Sequence, residues 1–253
     1  MKNKYILSEI YKNAIEYHKN LEGKNVLFAY GSQTHTDFIE TLFLSKHFLH
    51  LTGVKLVNGM GAKLFYKRCL HNQISPKDFQ VDSTVKLKLD VLPQVMKIYR
   101  NAKMCGDFDG NRLKPRTEKI IGNITVSLGF IKDGDYYVPN TVLEEDIRNV
   151  TIHPQQRVLA VFRKSVKQEK YTELCYTARG ITRETLILPN KIAVKLAAPG
   201  LGTAMLHQKS KSEKGMIGPE KLSDRIIQAR QQAQKCNAKC DKLLTQNRTE
   251  LER

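Results

Sequence analysis

Residues 118–143 read EKIIGNITVSLGFIKDGDYYVPNTVL, and their apolar side chains recur at every second position. Period two marks a strand with one face buried. The spacing predicts one strand over 119–130, with a bulge where Gly122 interrupts it, and a return strand that begins at Tyr136. Asp133-Gly134 between them accepts the positive φ of a tight hairpin turn. The alternation resumes at 157–164 and again at 171–178, after an acidic-then-basic stretch at 143–149 that suits a helical turn or two. Four such strands joined by short connections predict an antiparallel meander.

Upstream the period lengthens. Ile6, Ile10, Ala14 and Leu21, with Tyr11, Ile15 and His18 beside them, give a first helix with one apolar face. The runs 26–30 and 38–44, joined by the polar GSQTHTD, read as two strands, the second compatible with a helix as well. FLHLTGV at 48–54 is apolar and ambiguous, and AKLFYKRCL at 62–70 is helical. Ser75-Pro76 with Asp78 is a helix-start signal. A further helix is expected over 84–99, kinked or restarted at Pro93. The expected fold class is therefore α+β: N-terminal helices and short strands, a four-stranded antiparallel β-meander, and a C-terminal helix.

That last helix is read from a four-three alternation of Leu222, Ile226, Ala229, Ala233, Cys236, Cys240, Leu243 and Asn247, a heptad seam with a thin core. It serves either a homodimer through 219–253 or packing back on the parent domain. The expected organisation is a domain over 1–200, a Pro/Gly/Ser/Lys-rich linker at 201–218 and the helix at 219–253.

The chain of 253 residues is too short for two full-size domains. Its 42 Lys and Arg outweigh 25 Asp and Glu, a formal charge of +17 that favours polyanionic partners, nucleic acid first. No apolar run is long enough to span a bilayer, and polar residues interrupt the basic N-terminal stretch before it resembles a signal peptide. Five scattered cysteines suit neither a disulfide framework nor paired zinc knuckles, so a reducing cytoplasm is the expected compartment, with no membrane contact. VNGMGAK lacks a dinucleotide fingerprint, and Asp107 and Asp109 before Gly110 read as a surface turn.

Basic residues cluster on the predicted sheet: Lys119, Arg157, Arg163, Lys164, Lys167, Lys170 and Arg179. Alternation sends Arg163 and Lys164 to opposite faces. Their number fits electrostatic capture of a phosphate backbone, although any single lysine is more often a solvated surface group. Tyr136, Tyr137, Tyr171 and Tyr176 have ring faces on which unpaired bases stack, and are equally good sheet formers. His50 and Thr52 share a face if FLHLTG is a strand; a lone histidine there is more often structural than functional.

The succession FLHLTGV, SPKDF, EKIIGNITVSLGF, YYVPNTVLEEDIR, a basic strand and a tyrosine-containing strand resembles the fourth phage- and mobile-element-associated branch of the barnase, EndoU, colicin and RelE-like nucleases, over about residues 22–180. The resemblance implies a compact α+β fold. It also implies cleavage of RNA without metal or other cofactor, by attack of a ribose hydroxyl on its own phosphate, in a toxin or effector of a phage or mobile element. On that basis His50 is the acid/base, with Thr52 orienting it or donating to phosphate. Lys119 and Lys164 are the cations and Ser127 a donor to a phosphate oxygen. Tyr136, Asn140, Thr141, Arg163 and Tyr171 are expected to contact substrate. RNA and an antitoxin or immunity protein are the expected partners. The alternative is a non-catalytic nucleic-acid-binding or capsid-associated protein that uses the same basic groove.

Overall fold

In the computed structural model, residues 2–32, 34–57, 59–110 and 116–197 are described. The linker and heptad helix expected beyond residue 200 lie outside them. The chain opens with α1 (Lys2–Asn20), then β1 (Lys24–Gly31) and β2 (Thr36–Phe43). A 3-10 turn (Ser45–His47), α2 (Phe48–Thr52), β3 (Lys55–Leu56), α3 (Ala62–Leu70), β4 (Phe79–Gln80), α4 (Ser83–Val95) and α5 (Ile98–Asn101) form the helical layer. There follow β5 (Met104–Asp107), β6 (Lys119–Gly122), β7 (Ser127–Asp133), β8 (Tyr136–Leu143), a 3-10 turn (Ile147–Asn149), β9 (Gln156–Ser165), β10 (Glu173–Thr177) and α6 (Asn190–Ala193).

The sheet is larger than the expected four-stranded meander. Eight strands run in the order β1-β2-β8-β7-β6-β5-β9-β10, and β1 also pairs with β9, so the pairings close on themselves. All are antiparallel except β2 with β8, which meet in parallel at Thr41 and Tyr137. β3 and β4 make a separate two-stranded sheet. The meander reading failed because β5 inserts between β6 and β9. Its four residues, MCGD, are too short and too glycine-interrupted to show an alternation.

Other elements differ for local reasons. The predicted strand over 119–130 is two strands, because Asn123 turns the chain: its Oδ1 accepts the Thr125 and Val126 amides at 2.8 and 3.1 Å. Gly122 is therefore no bulge. It ends β6, where a Cβ would lie 2.2 Å from the Val126 carbonyl oxygen. Ser75-Pro76 starts no helix, since the Asp78 carboxylate accepts the Ser75 amide at 2.7 Å and closes a turn. The helix begins instead after Asp82, whose carboxylate accepts the Thr84 amide at 2.9 Å. FLHLT forms α2, closed by Gly53 at φ +75°. Pro93 lies in the last turn of α4, and the chain restarts as α5.

One main core joins the helices to the sheet. Ile6, Ile10, Ala14, Tyr17 and Leu21 line the buried face of α1, whereas Ile15 is 53 % exposed. Tyr17 is the hub: its ring meets Phe43, Phe48 and Tyr66 at centroid distances of 6.4, 5.3 and 5.6 Å, and its hydroxyl donates to the Leu44 carbonyl at 2.9 Å. A second cluster covers the other face of β1 and β9, where Leu186, Leu188, Ile192 and Leu196 pack over Leu27, Ala29, Ala160 and Phe162.

Because the obstruction at Gly122 is backbone rather than a flexible side chain, Gly122→Ala is expected to destabilise the fold by about 2–4 kcal/mol. A denaturant melt checks this; an unchanged midpoint would contradict the close approach.

Candidate active site

Register places one row of each strand on the core side, and several of these rows turn from apolar to polar at the same end. On β1 the row runs Val26, Phe28, Tyr30; opposite them on β2 stand Thr41, Ile39 and Asp37. On β5 and β6 Cys105 faces Ile121 and Asp107 faces Lys119. On β9 Val158 stands opposite Tyr30, and Gln156 opposite Cys105. A register shift between Ala29 and Tyr30 in the β1–β9 ladder sits beside this point. The polar ends surround a cleft of about 310 Å³ lined by Tyr30, Asp37, Asp107, Lys119, His153 and Gln156, with Ile152 and Pro154 on its rim.

Lys119 and Asp107 form its strongest contact, Nζ to Oδ1 at 2.6 Å. Burial pulls the ammonium pKa down, but the hydrogen bond and charge of Asp107 outweigh it, so the net shift is upward and the lysine stays a cation. Tyr30 is held neutral, its pKa raised by burial and then by the nearby Cys105 and Asp37; its hydroxyl lies 3.4 Å from an Asp37 oxygen. Tyr137 is raised mainly by burial, against the opposing charge of Lys119. His153 Nδ1 lies 3.1 Å from Gln155 Oε1, and an amide oxygen only accepts. In the tautomer with its proton on Nδ1 this contact is a hydrogen bond, and Nε2 carries the lone pair.

Of the residues predicted from sequence, Lys119 alone lines this cleft. Thr52 is buried in α2 and donates to the Leu49 carbonyl at 2.8 Å; on a helix it does not share a face with His50, as it would on a strand. Ser127 is buried and donates to the Glu145 carbonyl at 2.9 Å. Asn140 donates to the Arg116 carbonyl, and Thr141 is buried against the Gly129 backbone. Arg163 makes a two-pronged pair with Glu173 at 2.8 and 2.7 Å, donates to the Asn20 carbonyl at 2.7 Å and lies over the Tyr99 ring. Tyr171 is buried and donates to Glu40 at 2.9 Å, and Lys195 pairs with the other oxygen of that carboxylate at 2.7 Å. Lys164 does point to the opposite side from Arg163, above the Tyr171 ring, and donates to the Glu169 carbonyl at 2.8 Å. Tyr136 is half-buried at the β7–β8 turn.

His50 lies on α2, away from the cleft-lining set. Its side chain is open to solvent on one side, and desolvation of the rest, followed by the charges of Lys88 and Lys46, lowers its pKa. The neighbouring His47 is buried; its Nδ1 accepts the Leu44 amide at 3.1 Å, and burial followed by Lys46 and His50 pushes its pKa down to about 4. Sequence reasoning passed over Tyr30, Asp37, Asp107, His153 and Gln156. Asp107 was read as part of a surface turn but lies in β5, paired with Lys119. The pairings of β1 with β2 and β9, and of β5 with β6 and β9, bring these stretches together, and no local spacing signals it.

These features define an α+β protein with a charged cleft at one end of a closed sheet. A family model described as phage-Barnase-EndoU-ColicinE5/D-RelE like nuclease4 matches residues 9–180, and the chain belongs to that nuclease family. The match begins within α1, earlier than the resemblance read from the motifs. No curated protein and no solved structure matches the chain. No helix among the described residues is long and apolar enough to cross a membrane.

The depressed pKa of His47 makes stability depend on pH. An unfolded imidazole titrates near 6.5 and this one near 4, so across that window the unfolded chain binds the extra proton. The stabilisation, up to about 3 kcal/mol, is fully present above pH 6.5 and is lost as pH falls towards 4. His47→Asn, which keeps an acceptor for the Leu44 amide, is expected to lose less stability than the parent between pH 6.5 and 4.5 in denaturant melts. Parallel pH profiles would contradict this origin.

Proposed function

We propose that this protein is a metal-independent ribonuclease whose chemistry occurs in the cleft around Lys119. The observation that carries the reading is the 2.6 Å Lys119–Asp107 pair inside an open polar cleft, in a chain that belongs to a nuclease family. His153 Nε2 takes the proton from a ribose 2′-hydroxyl, whose oxygen attacks the adjacent phosphorus. Lys119, kept cationic by Asp107, balances the charge that builds on the phosphorane oxygens. The bond from phosphorus to the 5′-oxygen breaks, and Tyr30, a neutral phenol on the cleft wall, supplies a proton to the strongly basic leaving oxygen. The products are a 2′,3′-cyclic phosphate and a free 5′-hydroxyl.

Tyr137, on the cleft side of β8 beside Lys119, is the stacking candidate for a base there, whereas Tyr136, one residue earlier, faces the opposite side of the strand. Thr52, Ser127, Asn140, Thr141, Arg163 and Tyr171 hold the scaffold through the contacts described above. The proposal includes a toxin or effector role for a phage or mobile element, restrained by an antitoxin or immunity protein.

A second reading keeps the acid/base at His50, the histidine of the FLHLTG motif. One observation favours it: Lys88 and Lys46 help hold its imidazole in the neutral, base-competent form.

Single-turnover cleavage of end-labelled RNA separates the two. His153→Ala and Lys119→Met are each expected to lower kcat by about 10²- to 10⁴-fold, with circular dichroism unchanged. A fall of more than a hundredfold in His50→Ala, with His153→Ala near the parent rate, would move the chemistry to His50.

A further inference from the structure

We infer that the helical layer carries a second, non-catalytic phosphate site, formed by Lys88, His50 and Lys46, that grips the RNA backbone away from the bond being cut. The inference rests on the ribonuclease reading for the identity of its ligand.

The segment from residue 44 to residue 90 contains eight Lys and Arg, three Asp and no Glu. Each aspartate already has a local task. Asp78 closes the turn at Ser75 and Asp82 caps α4 while standing 3.5 Å from Lys55. Asp90 accepts the Tyr5 hydroxyl at 2.7 Å. The excess positive charge of the layer therefore has little internal compensation.

Lys88 is the clearest case. Its alkyl chain runs across Gly53, where a Cβ would lie 2.7 Å from Cδ, so the glycine that ends α2 also makes room for the lysine. The side chain is half-buried, and no hydrogen bond or ion pair engages Nζ among the described residues. Burial lowers its pKa, and Asp82 offsets this only in part. A partly desolvated ammonium without a close counter-ion is costly. His50 stands one turn before Gly53 on α2 and four residues after Lys46, and the charges of Lys88 and Lys46 both act on its imidazole. Among the described residues Lys46 has only Asp133, at 3.8 Å between two well-exposed side chains, a contact of small worth.

An anion meeting all three groups removes that cost. A phosphodiester fits the chemistry: one charge shared over two oxygens, within reach of two ammonium groups and an imidazole N–H. These groups stand on α2, α4 and the turn before α2, whereas the cleft is built from strands and the loop before β9. One strand of RNA held on the helical layer would thus present a different phosphate to Lys119.

The test uses the full-length chain and a 2′-O-methyl RNA 20-mer, which binds but has no free 2′-hydroxyl to react. Fluorescence anisotropy between 50 and 300 mM salt gives affinity and its salt slope. Lys88→Met, which keeps the packing over Gly53, and Lys46→Ala, at an exposed position, are each expected to weaken binding about 5- to 20-fold at 100 mM salt. Each should also lower the slope of log K against log salt by about 1. Parent-like affinity and slope in both variants would overturn the site. With cleavable RNA, Lys88→Met should raise KM by more than it lowers kcat; a fall in kcat at constant KM overturns the non-catalytic role, because the phosphate held there is then the reacting one. A parent chain that binds the 20-mer yet leaves ordinary RNA intact would refute the ribonuclease reading and leave the phosphate site standing on the binding data.

Discussion

β1 is hydrogen-bonded along both edges, to β2 beside it in sequence and to β9 more than a hundred residues later, and the rest of the molecule depends on that second pairing. Closing so long a loop carries an entropic cost, though it rises only slowly with loop length. It is met by apolar packing on both sides of the ladder: Val26 and Phe28 face the helices, and Leu27 and Ala29 face the C-terminal segment. The pairing also fixes register. A slip of one residue would send Tyr30 to the other face and dissolve the cleft.

Buried charge in this protein is placed where it locks elements together. Arg163 joins β9 to β10 through Glu173 and to the end of α1 through the Asn20 carbonyl, where a cation also suits the helix dipole. Glu40 joins β2 to Tyr171 and Lys195, and so fastens the segment that follows β10. That segment, residues 181–197, lies beyond the matched stretch of 9–180, yet it supplies the side chains that cover the outer face of β1 and β9. The folded unit therefore extends past the matched stretch. Lys119 differs from Arg163: its partner Asp107 is 61 % exposed, so the pair opens to solvent and to an incoming ligand.

The sequence was readable wherever one local pattern decided the outcome. The apolar face of α1, the helix over 62–70, the β7–β8 hairpin at Asp133-Gly134 and the opposite faces taken by Arg163 and Lys164 all follow from period and turn chemistry. It misled where a short side-chain contact redirected the backbone, at Asn123 and at Asp78, and where a strand was too short to show a period, at β5. The candidate cleft was the least legible part. Lys119 was identifiable as a cation near a strand start, but its companions Tyr30, Asp37, Asp107, His153 and Gln156 come from four separate stretches that only tertiary register unites. Arg163 and Tyr171, attractive by residue type, are held inside the scaffold instead.

The central claim is that the protein cuts RNA by internal transesterification. The most direct measurement is mass spectrometry of the ends formed when purified protein is incubated with RNA in excess chelator. The account predicts 2′,3′-cyclic phosphate and 5′-hydroxyl ends, absent with Lys119→Met. Intact RNA, or 5′-phosphate ends that appear only when a divalent metal is restored, would contradict it.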